Sequence, residues 1–298
     1  MLTLRVSWIW HTIESTLPFI KFYFLSAAAF TALEFLIPAD RTRSPRNSFA
    51  NLQFTLLYIL VTPFAMILPS AFAAAVTQRF GGGLIHWDLD RLAFGIPALD
   101  WTAHNLLLPL IPLFIFDFFY YWHHRLQHVS PAFWPVHRLH HSMESLNAIG
   151  TLRIHWLEEP MRALTITIPM SLLFNIGPVR AAAIGFALSQ WAMFAHSNLR
   201  IPLGPFTGVL TGPQLHRLHH SLLPEHQDKN FTSMLPLWDI LFGTYVGPKK
   251  GEWPATGLAG GEHPRGTLYE TAWPFVTWGR ACVRRLPSFA RPVGQIKV

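Results

Sequence analysis

The sequence predicts an all-α integral membrane protein, with four to five membrane helices carrying a cytoplasmic, histidine-rich helical cap. Three observations predict this. Only 13% of the 298 residues are charged, against about 25% in an ordinary soluble domain. Several apolar stretches reach the roughly 20 residues that a helix needs to cross a bilayer. The chain also carries 16 histidines, and the string HRLHHS occurs twice, as His137–Ser142 and as His216–Ser221.

The spanning candidates are residues 17–38, 51–76 and 101–122, with a shorter pair at 161–177 and 180–196 separated by the turn signal Gly177-Pro178. The pair reads either as a membrane hairpin or as two short, partly inserted helices. Pro63, Pro69, Pro109 and Pro112 fall inside these stretches, where membrane helices tolerate kinks. Lys21 and Glu34 interrupt the first stretch and no small-residue cleavage site follows it, so no cleavable signal is expected. The 24 Phe and 12 Trp suit lipid-facing surface and interfacial belts. The single Cys282 excludes a disulfide framework and a cysteine-based metal site.

Charge orients the set. Arg41, Arg43 and Arg46 follow the first span and place that loop in the cytoplasm. The loop from Gln78 to Asp100, with two arginines and three aspartates, is left outside. The third span then returns Asp117 through His128 to the cytoplasm, and a 161–196 hairpin keeps the later residues there. From Arg200 onward eleven Lys or Arg face six Asp or Glu. Together with the net charge of +7, that excess reads as the positive-inside bias of a membrane protein rather than as nucleic-acid binding. Three regions follow: N-terminal membrane helices over 1–122, a histidine-bearing region over 123–245 with its short hairpin near 161–196, and a cytoplasmic basic tail over 246–298.

His124 and His128 are four apart at the cytoplasmic end of the third span. His123 would pair with His128 off that face, so His124 is preferred. His137, His140 and His141 follow Ser130-Pro131 and Pro135, which start a new helix. His216, His219 and His220 repeat the pattern after Gly212-Pro213. Spacings of three and four place each set on one helical face. Such a face packs poorly and holds a metal well, because neutral imidazole is the commonest protein metal ligand. An isolated histidine is more often a solvated side chain; eight in three same-face clusters are better read as ligands. Eight exceed what one tetrahedral zinc needs, so two adjacent metals are expected. His196, at the end of an apolar stretch, is a ninth candidate, and His155 is balanced between ligand and structural roles. His11, His86, His104, His226 and His263 lack clustering and read as ordinary surface or interfacial residues.

A ligating imidazole usually donates its second N–H to a carboxylate or carbonyl. Asp117, two helical turns before His124, is the leading candidate for that partner. An ionisable group at such depth is costly and points to function. Glu158, Asp228 and Asp239 are weaker candidates, and Asn230 either hydrogen-bonds a ligand or caps a helix. Iron would allow O2 activation, whereas zinc would polarise a carbonyl or activate water. Ligand type alone leaves both open.

The run Asp117-Phe-Phe-Tyr-Tyr-Trp-His-His-Arg-Leu-Gln-His128, then Trp134-Pro-Val-His-Arg-Leu-His-His-Ser142, resembles the opening signature of the fatty acid hydroxylase/sterol desaturase superfamily. The likeness continues through Asn147–His155, His196-Ser-Asn198, His216–Ser221, Asp228-Lys-Asn230 and Leu237-Trp-Asp-Ile-Leu-Phe-Gly-Thr244. It runs in order over residues 117–245. The resemblance implies an integral-membrane enzyme with a histidine-ligated di-iron centre that hydroxylates or desaturates a lipid using O2 and two external electrons. Carried over, the ligands are His124, His128, His137, His140, His141, His216, His219 and His220, with His196. The doubled His123-His124 departs from the pattern and leaves that box ambiguous by one residue.

No fused haem signature, Rossmann glycine fingerprint or iron–sulfur cysteine set occurs in the sequence. A separate ferredoxin or cytochrome b5 with its reductase is therefore implied as electron donor. Lys249, Lys250, Arg284 and Arg285 are candidates for docking an acidic carrier, with positive-inside anchoring the plainer account. Hydroxylation leads, desaturation by the same site is the runner-up, and a zinc hydrolase or a metal-binding membrane protein is the non-redox alternative. Sterol, acyl chain, alkylglycerol and carotenoid all stay open as substrates.

Overall fold

The computed structural model describes residues 2–41, 45–81, 94–174, 178–258, 260 and 262–285. Among these there is no β-strand, only two isolated bridges, Pro38 with Leu199 and Ser221 with Thr256. The helices are α1 Leu2–Leu36, α2 Pro45–Ala65, α3 Ile67–Arg79, α4 Pro97–Thr102, α5 Leu110–Val129, α6 Trp134–His141, α7 Glu158–Arg162, α8 Ile168–Leu173, α9 Pro178–His196, α10 Pro213–His219, α11 Leu237–Leu241 and α12 Thr267–Arg285. Parts of the expected topology signals fall outside the described residues: Arg43, most of the Gln78–Asp100 loop, Gly177, and the chain beyond Arg285.

Among the described residues, three stretches are long and apolar enough to cross a membrane: Thr16–Leu36, Asn47–Ala65 and Pro97–Val129. Phe22, Leu25, Phe35, Leu36, Leu60 and Leu68 on these helices and on α3 are exposed. That is unfavourable in water and natural against lipid tails.

The second span ends eleven residues short of the expected 76, with a one-residue break at Met66 before α3. Pro69 has no N–H for the Ala65 carbonyl, and its ring crowds that turn. The third stretch runs 33 residues, with a π turn at Ala103–Leu107 just before Pro109. At about 1.5 Å per residue it measures about 50 Å, against a hydrocarbon core of about 30 Å. One end must leave the bilayer. The 161–177 stretch is broken into α7, a π turn at Ala163–Thr167 and α8, because Pro169 cannot donate to Thr165.

The connection from α6 to α7 anchors the histidine region to the long helices. Its 3-10 turn, Ala148–Leu152, packs against Tyr23, Ala27, Ile59 and Met193. Tyr23 and Thr55 hydroxyls both donate to the Ile149 carbonyl at 2.8 Å. Glu34 accepts from the Ala148 and Asn198 amides at 2.8 and 2.9 Å. Arg153, fully buried, donates to Asn51 Oδ1 at 2.9 Å and to Ser142 Oγ at 2.6 Å. A charged group buried this deeply is retained only where its hydrogen bonds are met, so α2 and the end of α6 are held in one register. Residues 252–254 pack back onto α10. Gln214 and Arg217 of α10 donate to the Glu252 and Pro254 carbonyls.

Candidate metal centre

Local sequence builds three histidine ledges. α5 runs on past its apolar part to deliver His124 and His128 in its last turns. Pro135 and Pro213 occupy the first turns of α6 and α10, where a missing N–H costs nothing and the fixed φ favours the helix. α9 ends on His196.

These elements bring the nine histidines into two groups. His124, His128, His137, His141 and His219 form one, and His140, His196, His216 and His220 the other. Within each group one ring nitrogen per residue lies within 4.8 Å of every other. The two identical strings are used reciprocally. In α6 the i,i+4 pair His137/His141 joins the first group and His140 the second; in α10 the pair His216/His220 joins the second and His219 the first. Each short helix therefore serves both groups. The groups adjoin, with the His141 and His220 rings stacked at 4.4 Å between centroids.

The nitrogen positions fit metal ions. Nε2 of His196 lies 2.9 Å from Nε2 of both His140 and His216, and His216 lies 3.1 Å from His220. His124 and His137 Nε2 are also 3.1 Å apart. With metal–nitrogen bonds of about 2.1 Å, ligands at right angles sit about 3.0 Å apart and tetrahedral ones about 3.4 Å. The observed spacing suits a coordination number above four. Nε2 of His128, His141 and His219 is buried without a partner, a cost of about 1–3 kcal/mol each that a metal would remove.

The opposite nitrogens of five rings are held from outside. His124 Nδ1 pairs with the Phe231 carbonyl at 2.7 Å, His196 with Ala192 at 2.7 Å and His219 with Lys229 at 2.8 Å. His137 Nδ1 faces Glu158 Oε2 and His128 Nδ1 faces Asp228 Oδ1, both at 3.3 Å. Donation of these N–H groups fixes the tautomer that aims Nε2 inward. Burial, and then the neighbouring rings, push His137, His140, His141, His216, His219 and His220 well below the usual imidazole range. They are neutral at pH 7, the state that binds metal. Burial raises the Glu158 carboxyl to about 7 against the opposing pull of Arg162. The hydrogen bond from His128 holds the Asp228 carboxyl below its usual value.

Residues 109–244 match the family model described as fatty acid hydroxylase. This stretch is a domain of the fatty acid hydroxylase/sterol desaturase superfamily. It is 29% identical to ornithine lipid hydroxylase OlsE of Rhizobium tropici, over 86% of this chain and 76% of that protein. It is 36% identical to alkylglycerol monooxygenase of Xenopus tropicalis over 45% of this chain, spanning 29% of that longer protein. Methylsterol monooxygenase 1-3 of Arabidopsis thaliana is 30% identical over 53% of each chain. No solved structure matches the chain.

Within this family frame, several expected residues stand elsewhere. His123 is outside both groups, with Nδ1 on Thr165 Oγ1 at 2.7 Å; an adjacent residue on a helix is turned by about 100° from His124. His155 is also outside, its Nε2 on the Thr271 carbonyl and its Nδ1 accepting from the Leu157 amide. Asp117 backs no imidazole: its carboxylate accepts from the Ser233, Met234 and Leu235 amides at 2.9–3.0 Å. Asn230 pairs with both main-chain groups of Val246 and, like Asp228, has positive φ. Asp239 meets no ring but accepts from the Phe231 and Thr232 amides. His226, expected at the surface, is buried beside Glu252. Among the ring partners, the main-chain carbonyls of Phe231, Lys229 and Ala192 were invisible to side-chain pattern, since every residue carries one.

Two apolar cavities flank α9. One of about 680 Å³ lies against α1, lined by Phe19, Phe22, Tyr23, Gly185 and Phe186. The other, about 370 Å³, lies between α5, α8 and α9 beside Phe116, Met170 and Leu188. Gly185 borders both. Ala182, Gly185 and Ser189 precede His196 by 14, 11 and 7 residues, so this wall of the larger cavity shares the His196 face of α9.

Proposed function

We propose that the chain is a membrane oxidoreductase that hydroxylates an unactivated C–H bond of a lipid with O2, using two irons held by the histidine groups. The carrying observation is the pair of adjacent, buried, neutral all-histidine groups. His124, His128, His137, His141 and His219 would hold one metal, and His140, His196, His216 and His220 the other. Bound iron would supply oxygen chemistry. The chain's own residues orient the rings through their Nδ1 partners, exclude water by burial, and offer apolar cavities at the root of α9 for a lipid chain. Nitrogen spacing and donor number argue against a tetrahedral zinc in each group. The related hydroxylase and monooxygenases favour hydroxylation over desaturation.

Electrons come from a separate ferredoxin or cytochrome b5 with its reductase. The chain crosses the bilayer four to five times with the histidine groups on the cytoplasmic side, which matches the arginines after α1 and the basic excess after Arg200.

Mössbauer spectroscopy with metal quantification on protein grown with iron-57 tests the reading. Two irons per chain, coupled when oxidised and altered by dithionite and then O2, are the expected result. Two zincs and no iron, from an iron-replete culture, overturn it.

Gly185 offers a second check. A Cβ there meets open space, so Gly185→Leu is accommodated while filling room in both cavities. The longest chains accepted by the wild type should lose about tenfold or more in kcat/KM, since one methylene is worth that much in an apolar pocket. An unchanged chain-length profile across a series of acyl lipids would remove these cavities from the substrate path.

A further inference from the structure

Helix α12 is apolar on two faces where a surface helix has one. Its inner face grips the histidine region. Arg138, between His137 and His140, pairs with Glu270 at 2.5 Å and lies 4.8 Å over the Trp273 ring. Trp278 Nε1 donates to the Ala132 carbonyl at 3.1 Å. The outer face carries Leu268, 88% exposed, with Phe275, Val276 and Val283, each at least 39% exposed. Ala272 and Gly279 are exposed between them. Counted from Leu268 these positions fall at 0, 4, 7, 8, 11 and 15, a single helical stripe. Tyr269, Arg280 and Arg284 are exposed beside it.

Position and charge identify what covers the stripe. Thr267 Oγ1 at the start of α12 donates to Gln53 Oε1 at 3.3 Å, and Gln53 lies six residues inside the membrane-length stretch that begins at Asn47. The helix thus lies at the depth where α2 meets the bilayer boundary. An apolar stripe rimmed by arginines and aromatics is the composition of a helix lying in a membrane interface, and arginines there attract anionic lipid. An acidic carrier protein would be drawn to the exposed Arg280 but leave the long stripe uncovered. We propose that α12 lies in the plane of the membrane interface, its Leu268-to-Val283 stripe sunk among the acyl chains of an anionic leaflet. Seated there, it braces α6 through Arg138.

The inference rests on the membrane reading but not on the metal or the reaction. The only cysteine, Cys282, is exposed on this helix and reports without mutation. The full chain is labelled there with an environment-sensitive fluorophore and placed in nanodiscs of phosphatidylcholine with or without phosphatidylglycerol. With phosphatidylglycerol, blue-shifted emission, quenched by nitroxide-bearing lipid and spared by aqueous iodide, is expected. Leu268→Asp or Phe275→Asp should shift emission to the red and expose the label to iodide. The pair Arg280→Gln and Arg284→Gln should do so only where the anionic lipid is present. Wild-type label open to iodide in both lipids overturns the proposal. So does protection that requires an added acidic ferredoxin, which would assign the face to a protein. Metal content and turnover, measured on the same discs, report separately on the proposed reaction.

Discussion

Replacing His216 with alanine is expected to abolish turnover and to remove one of two bound metals. His216 Nε2 lies 2.9 Å from His196 and 3.1 Å from His220, so with His196 it links the four-histidine group. Three donors would remain, one fewer than a closed tetrahedral site takes from the protein and well short of a coordination number above four. The five-histidine group shares no ring with it and should keep its metal. His128→Ala is the informative contrast, because that group falls only from five donors to four. Metal content near one per chain for His216→Ala and near two for His128→Ala, with thermal unfolding as a control for folding, is the expected pair of results. Two metals retained by His216→Ala would mean that the second group is not a metal site. The consequence reaches beyond one residue, since activity needs both groups only if the metals act together.

Eight of the histidines were legible because three- and four-residue spacings force side chains onto one face, whatever the surrounding fold, and His196 only from its place at the end of an apolar stretch. Their partition was not. Whether His140 joins His137 or departs from it depends on the approach of α9 and α10, which no local period encodes. The same division holds for the acidic residues. Glu158 and Asp228 do face His137 and His128. Asp117 was read from its helical register with His124, yet it turns to the amides of residues 233–235, a contact 116 to 118 positions away in sequence. Helix breaks followed proline chemistry at Pro69, Pro109 and Pro169, although Pro69 and Pro109 were expected only to kink their helices. No pattern in the sequence singles out Arg153. Its burial against Asn51 and Ser142 arises from packing between α2 and α6 that a single sequence does not display.

Asp239→Ala should lower stability by about 3–5 kcal/mol, the cost of breaking a buried charged network, and loosen His124 as it does so. The two carboxylate oxygens accept from the Phe231 and Thr232 amides at 2.8 and 2.9 Å and from the Thr232 and Thr244 hydroxyls at 2.7 Å. Alanine strands the two amides and the Thr232 hydroxyl, while the Thr244 hydroxyl keeps the Tyr121 hydroxyl at 3.1 Å, and each unmet group carries a desolvation penalty of about 1–3 kcal/mol. Phe231 is the residue whose carbonyl receives His124 Nδ1 at 2.7 Å, so the damage passes through one peptide unit to the five-histidine group. Asp239→Asn keeps the shape but offers one acceptor oxygen in place of two, and should fall between wild type and alanine. Unfolding of the detergent-solubilised variants, followed alongside metal retention under chelator challenge, checks both parts. Wild-type unfolding in Asp239→Ala would refute the network's energetic role. Lowered stability with undiminished metal retention would show that His124 is dispensable to its group, a result that four remaining donors make physically feasible and that His124→Ala would then reproduce without the stability loss.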